Sequence, residues 1–172
     1  MADNTPATNG QAAASNGQAS QAQLNLQKVY IKDASFEVPN APQVYQEQGQ
    51  PQVQLNLGQK HTKLSEDVHE VVLTLTITCT MNDSTAYLAE VHQAGIFGVT
   101  GFDEAGLDAV LGSYCPNVLF PYARQILSDL VQNGGFPPFL LQPINFDALY
   151  AEQQRRQAEG GEAGDDAPAA NA

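Results

Sequence analysis

Tryptophan is absent from this 172-residue chain, and cysteine is nearly so, with only Cys79 and Cys115. Two widely separated thiols build neither a disulfide scaffold nor a zinc knuckle; a reducing cytoplasmic compartment fits them. Basic residues are also scarce: 7 Lys and Arg stand against 19 Asp and Glu, a formal net charge of −12. A nucleic-acid footprint needs a basic face to release counterions, and an anionic membrane surface attracts basic segments, so neither partner is expected. Basic partners are favoured instead. No apolar run approaches the ~20 residues of a membrane span. The N-terminus lacks the basic start and apolar stretch of a secretory signal, so a cytoplasmic location without membrane insertion is expected. No GxGxxG or phosphate-loop pattern is present, and Gly95, Gly98, Gly101 and Gly106 are too scattered to form one, so no cofactor is expected.

Apolar residues make up 42 % of the chain, enough for a real core. They are most telling between Gly134 and Tyr150, GGFPPFLLQPINFDALY. Pro137, Pro138 and Pro143 have no backbone N–H and a fixed φ, which breaks both helix interiors and central strands. Phe136, Phe139, Leu140, Leu141, Ile144 and Phe146 are therefore expected on irregular backbone. An apolar loop of this kind lies over a core or walls a hydrophobic groove, and a groove suits exposed apolar polypeptide better than a small polar substrate.

Residues 1–23 are small and polar and residues 158–172 are rich in Gly, Ala and acid, so both read as disordered tails around a folded domain at 24–157. Leu26 to Val38 and Gln52 to Leu57 read as strands, with Pro39 and Pro42 closing the first. Val68 to Met81 is the clearest strand: Val71, Leu73, Leu75, Ile77 and Cys79 alternate with Thr74, Thr76, Thr78 and Thr80. Asn82, Asp83 and Ser84 supply a turn, and Thr85 to Phe97 returns as the partner of a hairpin. Helices are expected over Asp103–Leu111, Asn117–Gln132 and Phe146 to about Gln157. Gly134 and Gly135 stop the second, Asn145 caps the third, and Pro121 is compatible only with a first turn. Strands followed by helices indicate an α+β fold: a four-stranded antiparallel sheet with helices on one face. The fourth strand carries small and apolar residues on both faces, Ala86, Leu88, Glu90, His92 and Ala94 against Tyr87, Ala89, Val91 and Gln93. That pattern suggests a face covered by another subunit.

A catalytic set is hard to assemble. His61, His69 and His92 show no helical i,i+4 pair, and the hairpin register puts His92 opposite Leu73 or Thr74, roughly 13–16 Å from His69. No shared metal is expected. Asp33 and Glu37 share a face of the first strand but stand roughly 13 Å apart, beyond the carboxylate spacing of glycoside cleavage. They form an acidic contact patch instead. Cys115, near a helix start but with no histidine beside it, reads as a buried thiol.

Four segments in order, KDASFEVPNAP from Lys32, AGIFGVTG from Ala94, YCPNVLFPYAR from Tyr114 and PINFDALY from Pro143, resemble the SecB family of bacterial export chaperones. The resemblance spans about Leu26 to Tyr150. It implies a cytosolic homotetramer, a dimer of dimers, that holds unfolded precursor proteins and delivers them to the SecA motor ATPase, with no enzymatic activity. By the same resemblance Asp33, Glu37, Leu88 and Glu90 contact SecA, and Ala89, Val91 and Gln93 bear on assembly. Val44, Tyr45, Phe136, Phe139, Leu141, Ile144 and Phe146 line the client groove. Relatives often carry Cys at position 89 and Trp near Gly49; this chain has Ala89 and no Trp, so the groove wall there is thinner or is supplied by Tyr45. A ligand-binding or enzymatic α+β domain that uses the groove for a lipid or other apolar small molecule is the rival reading, and a chaperone devoted to a single client, such as a toxin–antitoxin pair, is a third.

Overall fold

A computed structural model describes residues 22–162. The chain forms four long strands and then helices: β1 (Gln23–Glu37), β2 (Gln52–Ser65), β3 (Val68–Met81), β4 (Ser84–Thr100), α1 (Glu104–Ala109), α2 (Cys115–Asn133) and α3 (Phe146–Glu162). A π-helical turn, Val110–Tyr114, joins α1 to α2, and a 3-10 turn, Gln43–Gln46, lies between β1 and β2. The strands make one antiparallel sheet in the order β1-β4-β3-β2. The α+β architecture expected from the sequence is therefore present, with β3 and β4 in the middle and β1 and β2 at the edges.

The hairpin between β3 and β4 follows directly from its turn residues. Asn82 and Asp83 both take positive φ, 48° and 62°, the paired left-handed geometry that matches strand twist in a two-residue turn. His92 lies opposite Thr74, as the hairpin register implies. Period-two alternation then sorts β3 into two faces. Val71, Leu73, Leu75 and Ile77 are fully buried, while Thr74, Thr76, Thr78 and Thr80 are half-buried on the other side. In register with the apolar row of β3 lie Tyr87, Ala89, Val91 and Gln93 of β4. Both rows pack under α2, whose Cys115, Leu119, Ala123, Leu127 and Val131 repeat at four-residue intervals and are buried.

Two sequence expectations change here. Ala89, Val91 and Gln93 are covered by α2 of their own protomer, so their burial does not itself require a second subunit. Pro121 lies in the interior of α2 rather than in its first turn, because the helical path already begins at α1 and continues through the π-turn. Asn117 and Pro121 both sit on the exposed side of the helix, where water can reach the carbonyl that Pro121 leaves without a donor.

Strand β2 runs eight residues past its expected end, to Ser65, and α3 runs to Glu162, five residues past Gln157. The polar faces of both give little apolar periodicity to read. Of the expected tails, residues 1–21 and 163–172 lie outside the described residues.

Candidate functional site

The groove begins where α2 ends. Gly134 lets the chain pass close to β1: a Cβ there would lie 2.1 Å from the Phe36 ring. Gly135 takes φ +83°, which favours glycine, and reverses the chain. Phe136 then packs into an aromatic group. Its ring centroid is 4.7 Å from Tyr87, 5.3 Å from Tyr45 and 6.4 Å from Phe36. The Tyr45 hydroxyl donates to the Gly134 carbonyl at 2.8 Å, tying the 3-10 turn to the end of α2.

These residues wall an apolar cavity of about 410 Å³. Val44, Tyr45, Phe136 and Phe139 of the expected groove set all line it. Val53, Cys79, Met81, Ala86 and Tyr87 complete the floor and far wall, together with Gly49, Pro51 and the ring pair Pro137–Pro138. Sequence reasoning missed this second group. The alternation of Cys79 with the threonines of β3 held the signal, since it marks Cys79 as inward-facing. Burial raises the pKa of the Cys79 thiol, only partly offset by a hydrogen bond from Tyr87, so it is inert apolar lining rather than a nucleophile.

The remaining groove residues lie elsewhere. Leu141 and Phe146 are buried in the core, Phe146 edge-on to Phe120 at 5.7 Å, and Ile144 is half-buried beside them. Leu141 and Ile144 do not line the 410 Å³ cavity; they anchor the proline segment, and Phe146 lines a second cavity of about 580 Å³. Leu140, just before the anchor Leu141, is 75 % exposed.

That second cavity sits among β2, the π-turn and α3, with Gln59, Lys60, His61, Asp108, Gly112 and Tyr150 around it. Its construction follows from Pro116. In a π-turn the Leu111 carbonyl would accept from residue 116, which has no N–H; Gln59 Nε2 donates to it instead at 2.8 Å. Gly112 leaves room for the Tyr150 ring, which a Cβ would approach to 2.5 Å. The Tyr150 hydroxyl donates to Asp108 at 2.6 Å, and Gln154 donates to the same oxygen at 2.8 Å. Ser113 donates to Asp147. The π-turn is thus the point at which α3 is fastened.

The expected docking set lies on the opposite face of the sheet. Asp33 is opposite His92, Ser35 opposite Glu90 and Glu37 opposite Leu88, so Asp33, Glu37, Leu88 and Glu90 all project outward together. His92 Nε2 lies 2.8 Å from Glu90 Oε1, and the Thr76 hydroxyl donates to Glu90 Oε2 at 2.7 Å. These two bonds hold the Glu90 carboxyl below its usual pKa and keep it charged. Further along the same face Lys32 pairs with Glu70 at 2.7 Å, and Tyr30 also donates to Glu70. Lys32 and then Tyr30 lower the Glu70 pKa, while the Tyr30 hydroxyl is pushed up to about 12, first by that hydrogen bond and then by burial.

Residues 17–157 match the family model described as SecB, preprotein translocase subunit. The Protein-export protein SecB of Xanthomonas euvesicatoria is 54 % identical over 165 residues, covering 95 % of this chain and 96 % of its own length. That of Stenotrophomonas maltophilia is 54 % identical over 152 residues, with 87 % and 88 % covered, and that of Nitrosococcus oceani is 53 % identical over 148 residues, with 85 % and 90 % covered. Among solved structures, a Mycobacterium tuberculosis SecB-like chaperone in complex with a peptide from an antitoxin matches with a TM-score of 0.58. It shares 18 % identity, covering 70 % of this chain and 90 % of that one, which establishes a shared fold. No helix among the described residues is long and apolar enough to cross a membrane.

Proposed function

The chain belongs to the SecB family, and from that premise we propose that it is an ATP-independent, non-enzymatic export chaperone of the cytoplasm. It holds unfolded precursor proteins in the groove and presents them to SecA through the acidic face. The observation that carries this reading is the placement of an aromatic-walled apolar cavity and an acidic patch on opposite faces of one sheet.

Client binding rests on apolar burial without sequence readout. Burying about 1,000 Å² of client apolar surface contributes on the order of 25 kcal/mol gross, and most of that is offset by ordering the client and by lost translational freedom. A cavity of about 410 Å³ accepts only a side chain or two. Net affinity therefore comes from several such sites engaged along one extended polypeptide, which is the reason to carry more than one copy of the chain. Slow-folding precursors stay exposed longer and are captured preferentially, so no nucleotide is required. The outward Asp33, Glu37 and Glu90, with Leu88 between them, attract a basic partner surface and give fast, salt-sensitive docking.

Assembly as a dimer of dimers is supported by what one protomer leaves open. Tyr114, the last residue of the π-turn, and Tyr122 of α2 are 53 % and 49 % exposed and form, with half-buried Val118, Ile126 and Leu130, an apolar stripe at four-residue spacing. Among the described residues, strands β1 and β2 are both unpaired at their outer edges. Ala89, Val91 and Gln93 bear on assembly through α2, which they seat from below.

Native mass spectrometry of the purified chain with a denatured precursor tests the reading. A tetramer carrying one unfolded polypeptide is expected. A monomer, or a cavity filled by a co-purified small apolar ligand and indifferent to denatured protein, would overturn it.

A further inference from the structure

Three metal-ligating side chains converge on the outward face. Asp33 of β1 and Glu90 and His92 of β4 each place one donor atom so that all three lie within 4.8 Å of one another. Period-two spacing along β4 puts Glu90 and His92 on one face, and strand register adds Asp33, which lies opposite His92.

A break in that register decides which side chain arrives. Ile31 pairs with Gln93, but the next pair is Asp33 with His92, so Lys32 is the extra residue of a bulge. In an unbroken ladder Lys32 would stand opposite His92 and Asp33 would point to the other face. Bulges re-aim side chains in this way. Here the bulge puts a carboxylate beside the imidazole and sends the lysine to Glu70, 2.7 Å away. The Glu90 carboxylate is oriented from a third strand by Thr76, which binds Oε2 and leaves Oε1 towards His92 Nε2.

We propose that Asp33, Glu90 and His92 form a binding site for a divalent transition-metal cation of the zinc, cobalt and nickel class. One imidazole nitrogen with two carboxylate oxygens is a mixed donor set that suits these ions rather than magnesium or calcium, which take oxygen ligands. Metal–ligand bonds of about 2.0–2.2 Å set donor atoms a little over 3 Å apart. The present 2.8 Å between His92 and Glu90 opens slightly on binding, and Asp33, exposed at the rim, closes inward. Water completes the coordination. The site is independent of the client-holding reading, because none of its residues reaches the groove.

Cobalt(II) added to the metal-free full-length chain tests the site by the visible d–d absorption of a nitrogen–oxygen complex. The result expected is saturation at one cobalt per chain and displacement by zinc. His92→Gln and Asp33→Asn should each weaken cobalt binding at least tenfold, with His61→Gln unchanged. Matching thermal melts exclude misfolding of these surface variants. Absence of a saturable cobalt signal, equal affinity in His92→Gln, or loss of binding in His61→Gln would overturn the assignment.

Discussion

The two faces of this sheet are made from alternate residues of the same strands, yet they present opposite surfaces. Beneath α2 the rows of β3 and β4 are closed to water, and at one end of that face the packing stops short and leaves the aromatic-walled cavity. On the other face the same strands present threonines, charged pairs and an acidic cluster. Because side chains alternate along a strand, one β-strand can be core, cavity floor and charged outer surface at once, and changes on one face are expected to leave the other nearly untouched.

Stability should follow that division most strongly. Leu75→Ala removes a fully buried side chain and should cost about 2–5 kcal/mol in denaturant unfolding. Its neighbour Thr74→Ala, on the outward face, should fall within about 0.5 kcal/mol. Equal costs would mean that the faces are not distinct.

Docking should break next. Changing Asp33, Glu37 and Glu90 together to Lys reverses the charge of the outward patch. SecA affinity should fall by at least about 100-fold in calorimetric titration while client affinity changes less than about twofold. Unchanged SecA binding would remove those residues from the dock. The converse change is smaller: Phe136→Ser with Phe139→Ser should weaken capture of a denatured client about tenfold and leave SecA docking intact. If both activities fell together, the two faces would be coupled.

The smallest effect separates the faces by acidity. His69, buried on the inner face, is held below its usual 6.5 by desolvation first. The folded chain refuses protons that the unfolded chain accepts, so stability should decline as pH falls below about 6.5. Glu90 and Glu70 on the outer face are held below 4.5 by hydrogen bonds from His92 and Lys32 respectively. Their contribution is whole above about 4.5 and is lost only as pH drops through the lowered values. Thermal melts of His69→Phe should therefore lose the upper step and keep the lower one; the opposite pattern would misassign the groups.

How much of this was legible depended on period and on punctuation. The alternation of β3 fixed its ends to the residue, and Asn82–Asp83 fixed the hairpin. The prolines and Gly134–Gly135 marked the apolar segment, and Val44, Tyr45, Phe136 and Phe139 of the expected groove set do meet at one cavity. Leu141 and Phe146 were misplaced because apolar character alone does not distinguish a residue that walls a groove from one that anchors the wall. The long polar part of β2, paired with β3 by backbone, carried no hydrophobic signal. The bulge at Lys32, which delivers Asp33 to His92, leaves no trace in composition or periodicity and is visible only in the ladder.

Refolding of a slow-folding denatured precursor, followed with the wild-type chain, the Asp33/Glu37/Glu90 lysine variant and the Phe136/Phe139 serine variant side by side, reads the central claim most directly. Arrest of refolding by the first two, with release by the third, is the result predicted. Arrest by the serine variant as complete as by the wild type would contradict it.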